Sequence, residues 1–499
     1  MRKLRGERNE TRNLPLSDQL EENIDVLKRL LTEAPDVTYR HFQLKTGEHG
    51  VLVFIEGLVD KMSLNDHILR PLLYEVNSIQ DLLSGRIPIG TVELKYKWAD
   101  IDDLLFDGTT LIFIDQHPLA LIVNTQGWPQ RAIKEPQTES SIKGGHQGFI
   151  ETGDKNIAMI RRYLPNRELK IRRYTVGRRG KTKVFMLYIE DITQPDFIKV
   201  IEDRLDLINV DVILNTGELE GFLEDRPYSL FPQFLLSERP DAVAGQLLQG
   251  RVALVVDHSP SVLIGPANFA SFFQNIDDYS SRWVVATFLR LLRLLALIVA
   301  SSLPAFYIAV LTFHYEVIPV DLLISIGESR ARVPFPPILE ALLMEIAIEM
   351  LREAGLRVPS PIGQTTGVVG GIIIGQAAVQ AGIVSNIMVI VVAITAISSF
   401  IIPNQDMAVA IRLVRFPMMI IASMFGMVGI SIGLMIFAAH LISLETLRVP
   451  YGSPIAPIRV PDWKDLLVRV PLWKMVKRPL STNPKQLNRL EGRNSEEEK

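Results

Sequence analysis

The longest uncharged stretches of this chain lie in its second half, and they restrict that half to helices in lipid. Leu294–Phe313 contains 20 residues and Phe416–Ala439 contains 24, without a single Asp, Glu, Lys or Arg. Each length matches the hydrocarbon core of a bilayer. The 48 uncharged residues of Val358–Gln405 would form a helix about 70 Å long, which predicts two crossings.

Charge and hydropathy divide the 499 residues into six segments. We predict a polar N-terminal segment (1–34), a soluble α/β lobe (35–135), a basic connecting segment (136–180), a second α/β lobe (181–283), a membrane domain (284–445) and a basic cytoplasmic tail (446–499). The predicted spans are 294–313, 361–382, 383–402 and 416–439, and an amphipathic or re-entrant helix covers 338–353. The fold class is therefore an α/β cytoplasmic domain of two similar lobes followed by an all-α polytopic membrane domain.

The basic residues predict that both ends of the chain are cytoplasmic. The N-terminus lacks the apolar core of a secretory signal. Arg290 and Arg293 precede the first span, and residues 448–478 contain seven basic residues against two acidic ones. By the positive-inside rule, these segments belong on the cytoplasmic side, which agrees with an even number of spans.

One pair of arginines conflicts with this topology. Four spans place Arg412 and Arg415 at an outer turn, against the positive-inside rule. If 338–353 crosses as a fifth span, those arginines move inside and the basic tail moves outside. We prefer four spans.

Two passages of the soluble half share one pattern. "GTTLIFIDQHPLALI" begins at Gly108 and "GRVALVVDHSPSVLI" begins at Gly250. Both have a Gly, an Asp seven residues later, a Pro three residues after that, and then Leu-Ile. A period-two strand, an Asx-Pro turn and a second strand predict a hairpin in each passage. We therefore predict a duplicated lobe, with convergence of short strand patterns as the alternative.

Composition argues against several functional classes. The chain has no Cys, and its eight His are scattered, so we predict no catalytic, cofactor or metal site and no enzyme. The net charge of -3 gives no reason to expect a nucleic-acid partner. The basic run "LKIRRYTVGRRGKTK" at 169–183 precedes a strand, whereas a phosphate-binding P-loop precedes a helix. We interpret this run as a solvated loop, or as a contact for anionic lipid or an acidic partner.

Acidic residues interrupt the apolar region in "PFPPILEALLMEIAIEMLREAG", residues 334–355. Glu345, Glu349, Arg352 and Glu353 lie on one narrow stripe of a helix. Because a carboxylate in mid-bilayer is costly, we expect this stripe to face water, another subunit or Arg352 as a salt-bridge partner. An interfacial helix with wet glutamates is the alternative.

The next segment, "PIGQTTGVVGGIIIGQAAVQAG" at 361–382, has a small-residue face and a polar face. The helix-packing candidates are Gly367, Gly371, Gly375 and Gly382, because small residues let another backbone approach closely. The pore-lining candidates are Thr365, Gln376 and Gln380, joined by Glu345 and Glu349. A buried helix whose Gln side chains bond to neighbouring helices is the alternative.

The chain resembles the A subunits of the GerA family of bacterial spore germinant receptors, almost from end to end. The likeness rests on "EPQTE" at 135–139, "PYSLFPQ" at 227–233, "GRVALVVDHSP" at 250–260, "LPAFYIA" at 303–309, the glutamate-rich segment at 334–355, "PIGQ" at 361–364, "IGQAAVQAGIVS" at 374–385, "RFP" at 415–417 and "VPYGSPIAP" at 449–457. The stage V sporulation protein AF is a close paralogue that these motifs do not separate from the receptor subunits.

The resemblance implies a multi-pass protein of the spore inner membrane, within a nutrient-responsive complex. Its partners would be a permease-like B subunit that holds the germinant and a lipoprotein C subunit on the outer side. The A subunit would contact membrane lipid and form a homo-oligomer that conducts monovalent cations, which triggers germination. The alternatives are a sporulation paralogue that amplifies ion release, a secondary transporter, and a membrane-anchored interaction scaffold.

Overall fold

A computed structural model shows that the chain forms two compact units. The first unit comprises residues 1–227, 234–267 and 476–499, and the second comprises 228–233 and 268–475. The structure describes residues 15–76, 81, 92–101, 104–127, 136, 139, 144–357, 371, 373–466 and 468–489. The chain passes from one unit to the other at 227/228, 233/234, 267/268 and 475/476, so the units are linked by four covalent connections.

The first unit contains two five-stranded antiparallel sheets. The strands of the first sheet are β1 (Val37–Gln43), β2 (His49–Ile55), β3 (Val92–Lys95), β4 (Thr109–Ile114) and β5 (Ala120–Asn124). Those of the second are β6 (Leu169–Val176), β7 (Thr182–Ile189), β8 (Leu235–Ser237), β9 (Val252–Val256) and β10 (Val262–Gly265). The spatial orders are β1-β2-β4-β5-β3 and β6-β7-β9-β10-β8, so the two sheets share one topology. This confirms the prediction of two similar lobes.

The predicted hairpins are β4–β5 and β9–β10, and they match in backbone detail. Gly108 and Gly250 precede them with φ of +84° and +93°, a conformation that glycine adopts without steric cost. In the two turns, Gln116 and His258 have φ of +64° and +69°. These positions are equivalent in the two sequence patterns, so the duplication extends to the turn conformation.

Helices cover both faces of the first sheet. The helices of this unit are α1 (Leu20–Leu30), the turns Lys61–Ser63, Leu64–Leu69 and Arg70–Tyr74, α2 (Gly153–Tyr163), α3 (Pro195–Leu207), α4 (Thr216–Leu223) and α5 (Pro240–Leu247), with 3-10 turns at Trp98–Asp100, Leu104–Asp107 and Leu480–Thr482. Val51 and Val53 of β2 pack in the same core as α1, whereas Leu52 and Phe54 pack with the 64–72 turns. Alternation along the strand thus directs successive side chains into two cores.

A buried ion pair joins the two lobes. The Arg161 side chain on α2 is fully buried, and its Nη2 donates to Asp36 Oδ1 at 2.9 Å. Its guanidinium also lies 5.3 Å from the centre of the Phe106 ring. The predicted connecting segment 136–180 contains α2 and all of β6, so it is part of the second lobe and not a linker. The basic residues of this segment resemble those of a solvated linker. They lie instead on β6, an edge strand that exposes alternate side chains, Arg173 among them.

The second unit is mainly helical. Its helices are α6 (Asp277–Ser280), α7 (Trp283–Phe313), α8 (Val320–Arg330), α9 (Pro337–Arg357), α10 (Asn386–Ile401) and α11 (Gln405–Ser443), with 3-10 turns at Phe269–Phe273, Tyr315–Val317, Val460–Asp465 and Leu472–Lys474. By length and composition, α7 and α11 are able to cross a membrane, and α10 is a shorter apolar helix. The chain is also helical at 373–380.

The helix α11 reverses direction at Gly426. Its φ of +60° and ψ of -139° are non-helical and separate a first arm (405–425) from a second arm (427–443). A Cβ added to Gly433 would overlap Met418 Sδ, although residues so far apart along one straight helix are about 20 Å from each other. The prediction of one continuous span over 416–439 is therefore wrong, because the backbone folds back on itself inside that range.

The glutamate-rich helix α9 belongs to the bundle. It has 21 residues and contacts α7, α10 and α11. Its length is about 31 Å at 1.5 Å per residue, which is the thickness of a hydrocarbon core. It is longer than the predicted 338–353 segment, and its Ala341 and Met344 are buried in the core of the bundle.

The predicted tail folds into both units. Residues 446–475 belong to the second unit, where β11 (Glu445–Thr446) pairs with β12 (Val449–Pro450). Tyr451 is fully buried, its ring lies 6.1 Å from that of Phe272, and its hydroxyl donates to the Pro232 carbonyl at 2.8 Å. Residues 476–489 return to the first unit, where Lys485 N donates to the Ile192 carbonyl at 2.8 Å. The described residues of this segment, 446–466 and 468–489, are thus an integral part of the fold.

Candidate functional site

The described part of the 361–382 segment presents glutamine side chains at the surface of the second unit. Gln376 and Gln380 are both exposed on the described helical turns. A Cβ added to Gly371 would meet no atom within 4 Å, so this glycine has open space beside it. Thr365 and Gly367 lie outside the described residues. An uncharged helix that presents two amides at its surface is suited to contact water or a second protein surface.

The glycines of this segment have different roles. A Cβ added at Gly375 would lie 3.5 Å from Val389 of α10, which is ordinary van der Waals contact. Gly382 instead ends the helix, with φ of +69°. Its N–H donates to the Val379 carbonyl, and the N–H of Ile383 donates to that of Ala378, which is the hydrogen-bond pattern of a Schellman cap.

A cleft of about 630 Å³ lies beside the glutamine face. Its polar lining residues are Gln376 and Asn386, and Gly371 and Gly375 form part of its wall. The remaining lining comes mainly from aliphatic side chains of α9 and α10: Met344, Ala347, Ile348, Leu351, Val389, Ile390, Val392 and Ala393. The cleft therefore has one amide-bearing edge and an apolar floor.

Glu340 joins three parts of the bundle. Its side chain is fully buried, and its Oε1 lies 3.0 Å from Nη2 of Arg330 at the end of α8. Its Oε2 accepts from the backbone N–H of Ser385 at 3.0 Å, just before α10 begins. A carboxylate near a helix N-terminus stabilises the unpaired N–H groups there. Glu340 therefore stabilises the start of α10 and pairs with α8.

The other glutamates of α9 pair with arginines on the first arm of α11. Glu345 is 1% exposed and forms an ion pair with Arg415, which is 2% exposed. One turn further, Glu349 Oε1 lies 3.1 Å from Arg412 Nε. The sequence-based interpretation missed these arginines as partners. The two arginines are three residues apart and the two glutamates are four apart, so each pair lies on one face of its helix. This spacing is the sequence signal that would pair them across two antiparallel helices.

Arg352 has several contacts near the end of α9. Its Nη1 lies 3.7 Å from Glu349 Oε1, within the same helix. Its Nη2 lies 3.4 Å from Ser399 Oγ, and its guanidinium stacks 4.8 Å from the Phe400 ring centre. Glu345, Glu349 and Arg352 thus face α10 and α11, whereas Glu353 is exposed and pairs with Arg357 of the same helix. Glu345 in particular has no exposed surface with which to line a path.

A second charged cluster lies at the start of α7. Arg293 donates two hydrogen bonds to Asp278, at 2.7 and 2.9 Å, and Arg290 Nη1 lies 2.9 Å from Asp465 Oδ1. The Tyr279 ring lies between the Arg290 and Arg469 guanidinium groups, at 5.7 and 5.5 Å. Burial and the Asp465 carboxylate raise the pKa of the Tyr279 hydroxyl above its ordinary value. These contacts fix the start of α7 to residues 465–469.

Within the described part of the chain, no group of three or more His, Asp or Glu side chains is arranged to hold a metal ion.

Comparison with known proteins places the chain in one family. Residues 25–481 match the family model described as Bacillus/Clostridium GerA spore germination protein. The chain is 42% identical to spore germination protein KA of Bacillus subtilis over 477 residues, which cover 94% of this chain and 87% of that protein. It is 39% identical to spore germination protein GerLA of Bacillus cereus over 471 residues, which cover 92% of this chain and 96% of that one.

Among solved structures, the chain is similar to the N-terminal domain of the A subunit of the Bacillus megaterium spore germinant receptor GerK3. That similarity has 29% sequence identity and a TM-score of 0.41, and it covers 52% of this chain and 98% of the other. The family model spans both units of the fold, and these two relatives align over 87% and 96% of their own length. The chain therefore belongs to the GerA family of spore germination proteins, among the A subunits.

Proposed function

We propose that this chain is the A subunit of a nutrient germinant receptor, and that several copies assemble around a cation-conducting path in the spore inner membrane. A permease-like B subunit and a lipoprotein C subunit would be its partners. Family membership supports the role in germination. The arrangement of polar groups in the second unit supports the conducting role.

The direction of the helices supports six membrane crossings in place of four. Arg415 of the first arm contacts Ala300, and Gly426 lies against Phe313, so α7 and the first arm run in the same direction. Glu345 pairs with Arg415 and Glu349 with Arg412, so α9 runs in the opposite direction. Glu340 contacts Ser385 and Arg352 contacts Ser399, so α9 and α10 run parallel. The chain between them therefore has to cross back to the side on which α9 begins.

The six proposed crossings are α7, α9, the 361–382 segment, α10, and the two arms of α11. An even number keeps the first unit and the residues after the last crossing on one side, for which we propose the cytoplasmic side. In this topology Arg412 and Arg415 are not loop residues. They lie in the bundle as partners of α9, which removes their conflict with the positive-inside rule.

The single observation that carries the conducting role is the exposure of Gln376 and Gln380. An amide that faces lipid tails leaves its donors and acceptor without partners, which is unfavourable. A helix of this kind is stable in a bilayer where the amides meet water or another copy of the chain. When copies assemble with this face toward a shared interior, the amides contact both water and a neighbouring copy. Amides in that position replace part of the hydration shell of a cation.

The test is cation flux through reconstituted protein. The full chain, with its partner subunits, is placed in liposomes loaded with K⁺, and efflux is compared with that of a Gln376→Leu/Gln380→Leu variant. We expect the variant to reduce the flux by about tenfold or more, since a barrier increase of about 1.4 kcal/mol is sufficient for that factor. Gln405→Leu is the matched control, because Gln405 is exposed at the start of α11 and outside the glutamine face. Liposomes without flux for the unmodified chain would contradict the proposal.

A further inference from the structure

One backbone carbonyl of α7 lacks its helical partner. In an α-helix the carbonyl of residue 300 accepts from the N–H of residue 304, but residue 304 is Pro and has no N–H. Ala300 is fully buried, so water is not at hand to replace that donor. Pro304 therefore creates a buried acceptor at this turn, and the bundle has to satisfy it from another helix.

Arg415 supplies the missing donor. Its Nε donates to the Ala300 carbonyl at 2.8 Å, from the first arm of α11. Its Nη1 pairs with Glu345 on α9. A guanidinium presents several donors in a fixed plane, so one side chain reaches a carbonyl and a carboxylate at the same time, whereas the compact ammonium of Lys acts as a single point charge.

We propose that Arg415 is a positioning residue that joins α7, α9 and the first arm of α11, so that bending of α7 at Pro304 is coupled to displacement of α9. Three motifs of the sequence converge here: Pro304 in "LPAFYIA", Glu345 in the glutamate-rich segment and Arg415 in "RFP". A bend in α7 at this turn breaks no backbone hydrogen bond between residues 300 and 304, since none exists there. The guanidinium follows the Ala300 carbonyl and moves the Glu345 carboxylate with it.

The contact is suited to rearrangement. Glu345 Oε1 and Arg415 Nη2 are buried and have no hydrogen-bond partner among the described residues. These atoms offer an alternative pairing when the two helices shift. An apolar contact of the same volume would fill the space but would leave the Ala300 carbonyl and the Glu345 carboxylate unsatisfied. The coupling of the three helices does not depend on the proposed function.

The test is a double-mutant cycle on the full chain in detergent or nanodiscs, with the thermal midpoint Tm as the readout. Arg415→Met alone removes a donor and a counter-charge, so we expect a clear decrease in Tm. In the background Pro304→Ala/Glu345→Leu, the helix regains its own donor and the carboxylate is gone. We expect Arg415→Met to lower Tm much less in that background. Equal decreases in both backgrounds would overturn the proposal.

The matched control is Arg412→Met. Arg412 lies one turn earlier on the same arm and pairs with Glu349. Its effect on Tm is expected to be the same with and without the Pro304→Ala/Glu345→Leu background, because Arg412 pairs with Glu349 and the Ala300 carbonyl accepts from Arg415. A change of equal size in both cycles would show a general effect of the background and would also overturn the proposal.

Hydrogen exchange separates coupling from plain stability. In Arg415→Met we expect faster exchange at two places, the turn of α7 around residue 304 and the middle of α9 around Glu345. Adding Pro304→Ala should restore protection in α7 and leave α9 unprotected. Faster exchange confined to α11 would contradict the coupling. Neither measurement requires conduction, so a chain that fails to conduct would contradict the proposed function and leave this result standing.

Discussion

Buried charges of the second unit are paired across helices. Arg412 and Arg415 meet two carboxylates of α9, and Arg293 meets Asp278 beside the start of α7. Removing one partner of such a pair leaves an uncompensated charge in an apolar surrounding, at a cost of about 3–5 kcal/mol. Each pair therefore fixes one helix relative to another.

The sequence predicts one side of these pairs and not the other. The helical spacing of Glu345, Glu349 and Arg352 reveals a polar stripe, and the cost of a charge in lipid predicts that it has partners. Hydropathy does not identify the partners, because Arg412 and Arg415 stand at the edge of an apolar segment and resemble loop residues. Only the antiparallel contact of α9 with the first arm brings them together.

The environment of Glu33 in the first unit predicts that the stability of this unit depends on pH. Partial burial acts to raise the pKa of Glu33, but hydrogen bonds from Arg172, at 2.7 Å, and from Tyr188 hold it below its ordinary value of 4.5. A lowered pKa contributes stability that is complete above pH 4.5 and is lost as the pH falls through the pKa of the folded state. Glu33→Gln should therefore destabilise the first unit near neutral pH and have a smaller effect in acid.

The measurement is urea unfolding of the full chain at about pH 6 and about pH 3, which bracket the usual pKa values of carboxylates. Proteolysis of the first unit is the readout of unfolding. We expect the difference in the free energy of unfolding between wild type and Glu33→Gln to shrink at the lower pH. Glu21→Gln, at an exposed position of α1, is the control. A difference that stays constant or grows in acid would show that Glu33 does not titrate in this way.

At the scale of elements, the reversal of α11 is the feature least visible in the sequence. Hydropathy is high on both sides of Gly426, and a charge-free run of this length matches a single span. The fold-back depends on close approach of the arms, where Gly429 lies against the Ile421 carbonyl and Gly433 against Met418. Glycines spaced in this way are also typical of straight packed helices. The pattern predicts close packing but does not predict the turn.

Replacing the turn glycine should disrupt the hairpin. Gly426 has φ of +60°, and a Cβ there would lie 2.8 Å from His314 Cε1 and 3.0 Å from Phe313 Cβ. We expect Gly426→Ala to lower the free energy of unfolding by about 1–3 kcal/mol, the cost of a backbone conformation that L residues rarely adopt. The measurement is the Tm of the full chain in detergent.

The control substitution is Gly327→Ala on α8. A Cβ there would meet no atom within 4 Å. Alanine in an exposed helix is more favourable than glycine by about 1 kcal/mol, so this variant should be neutral or more stable. A Gly426→Ala chain as stable as the Gly327→Ala chain would mean that residues 405–443 do not need the reversal.

Across the whole molecule, the sequence predicts the duplicated lobes but does not predict which segments belong to which unit. The shared pattern after Gly108 and Gly250 predicts two lobes, because period-two strands and a tight turn are local features. Residues 228–233 belong to the second unit and residues 476–489 to the first, although the chain on at least one side of each segment belongs to the other unit. No local sequence pattern reports such an assignment. Phe231, for example, packs 5.5 Å from Phe437 of the second arm. The basic residues from 448 onward therefore led to the prediction of a cytoplasmic tail.

The proposed function requires that copies of the second unit turn the glutamine face toward a shared aqueous path. The chain has no native cysteine, so Gln376→Cys in liposomes offers one thiol to a charged, membrane-impermeant thiol reagent. Ile397→Cys, exposed on α10 in an apolar surface, is the reference. We expect rapid modification of the thiol at position 376, loss of K⁺ flux on modification, and little reaction at position 397. Equal protection of both positions in a chain that remains monomeric would contradict it.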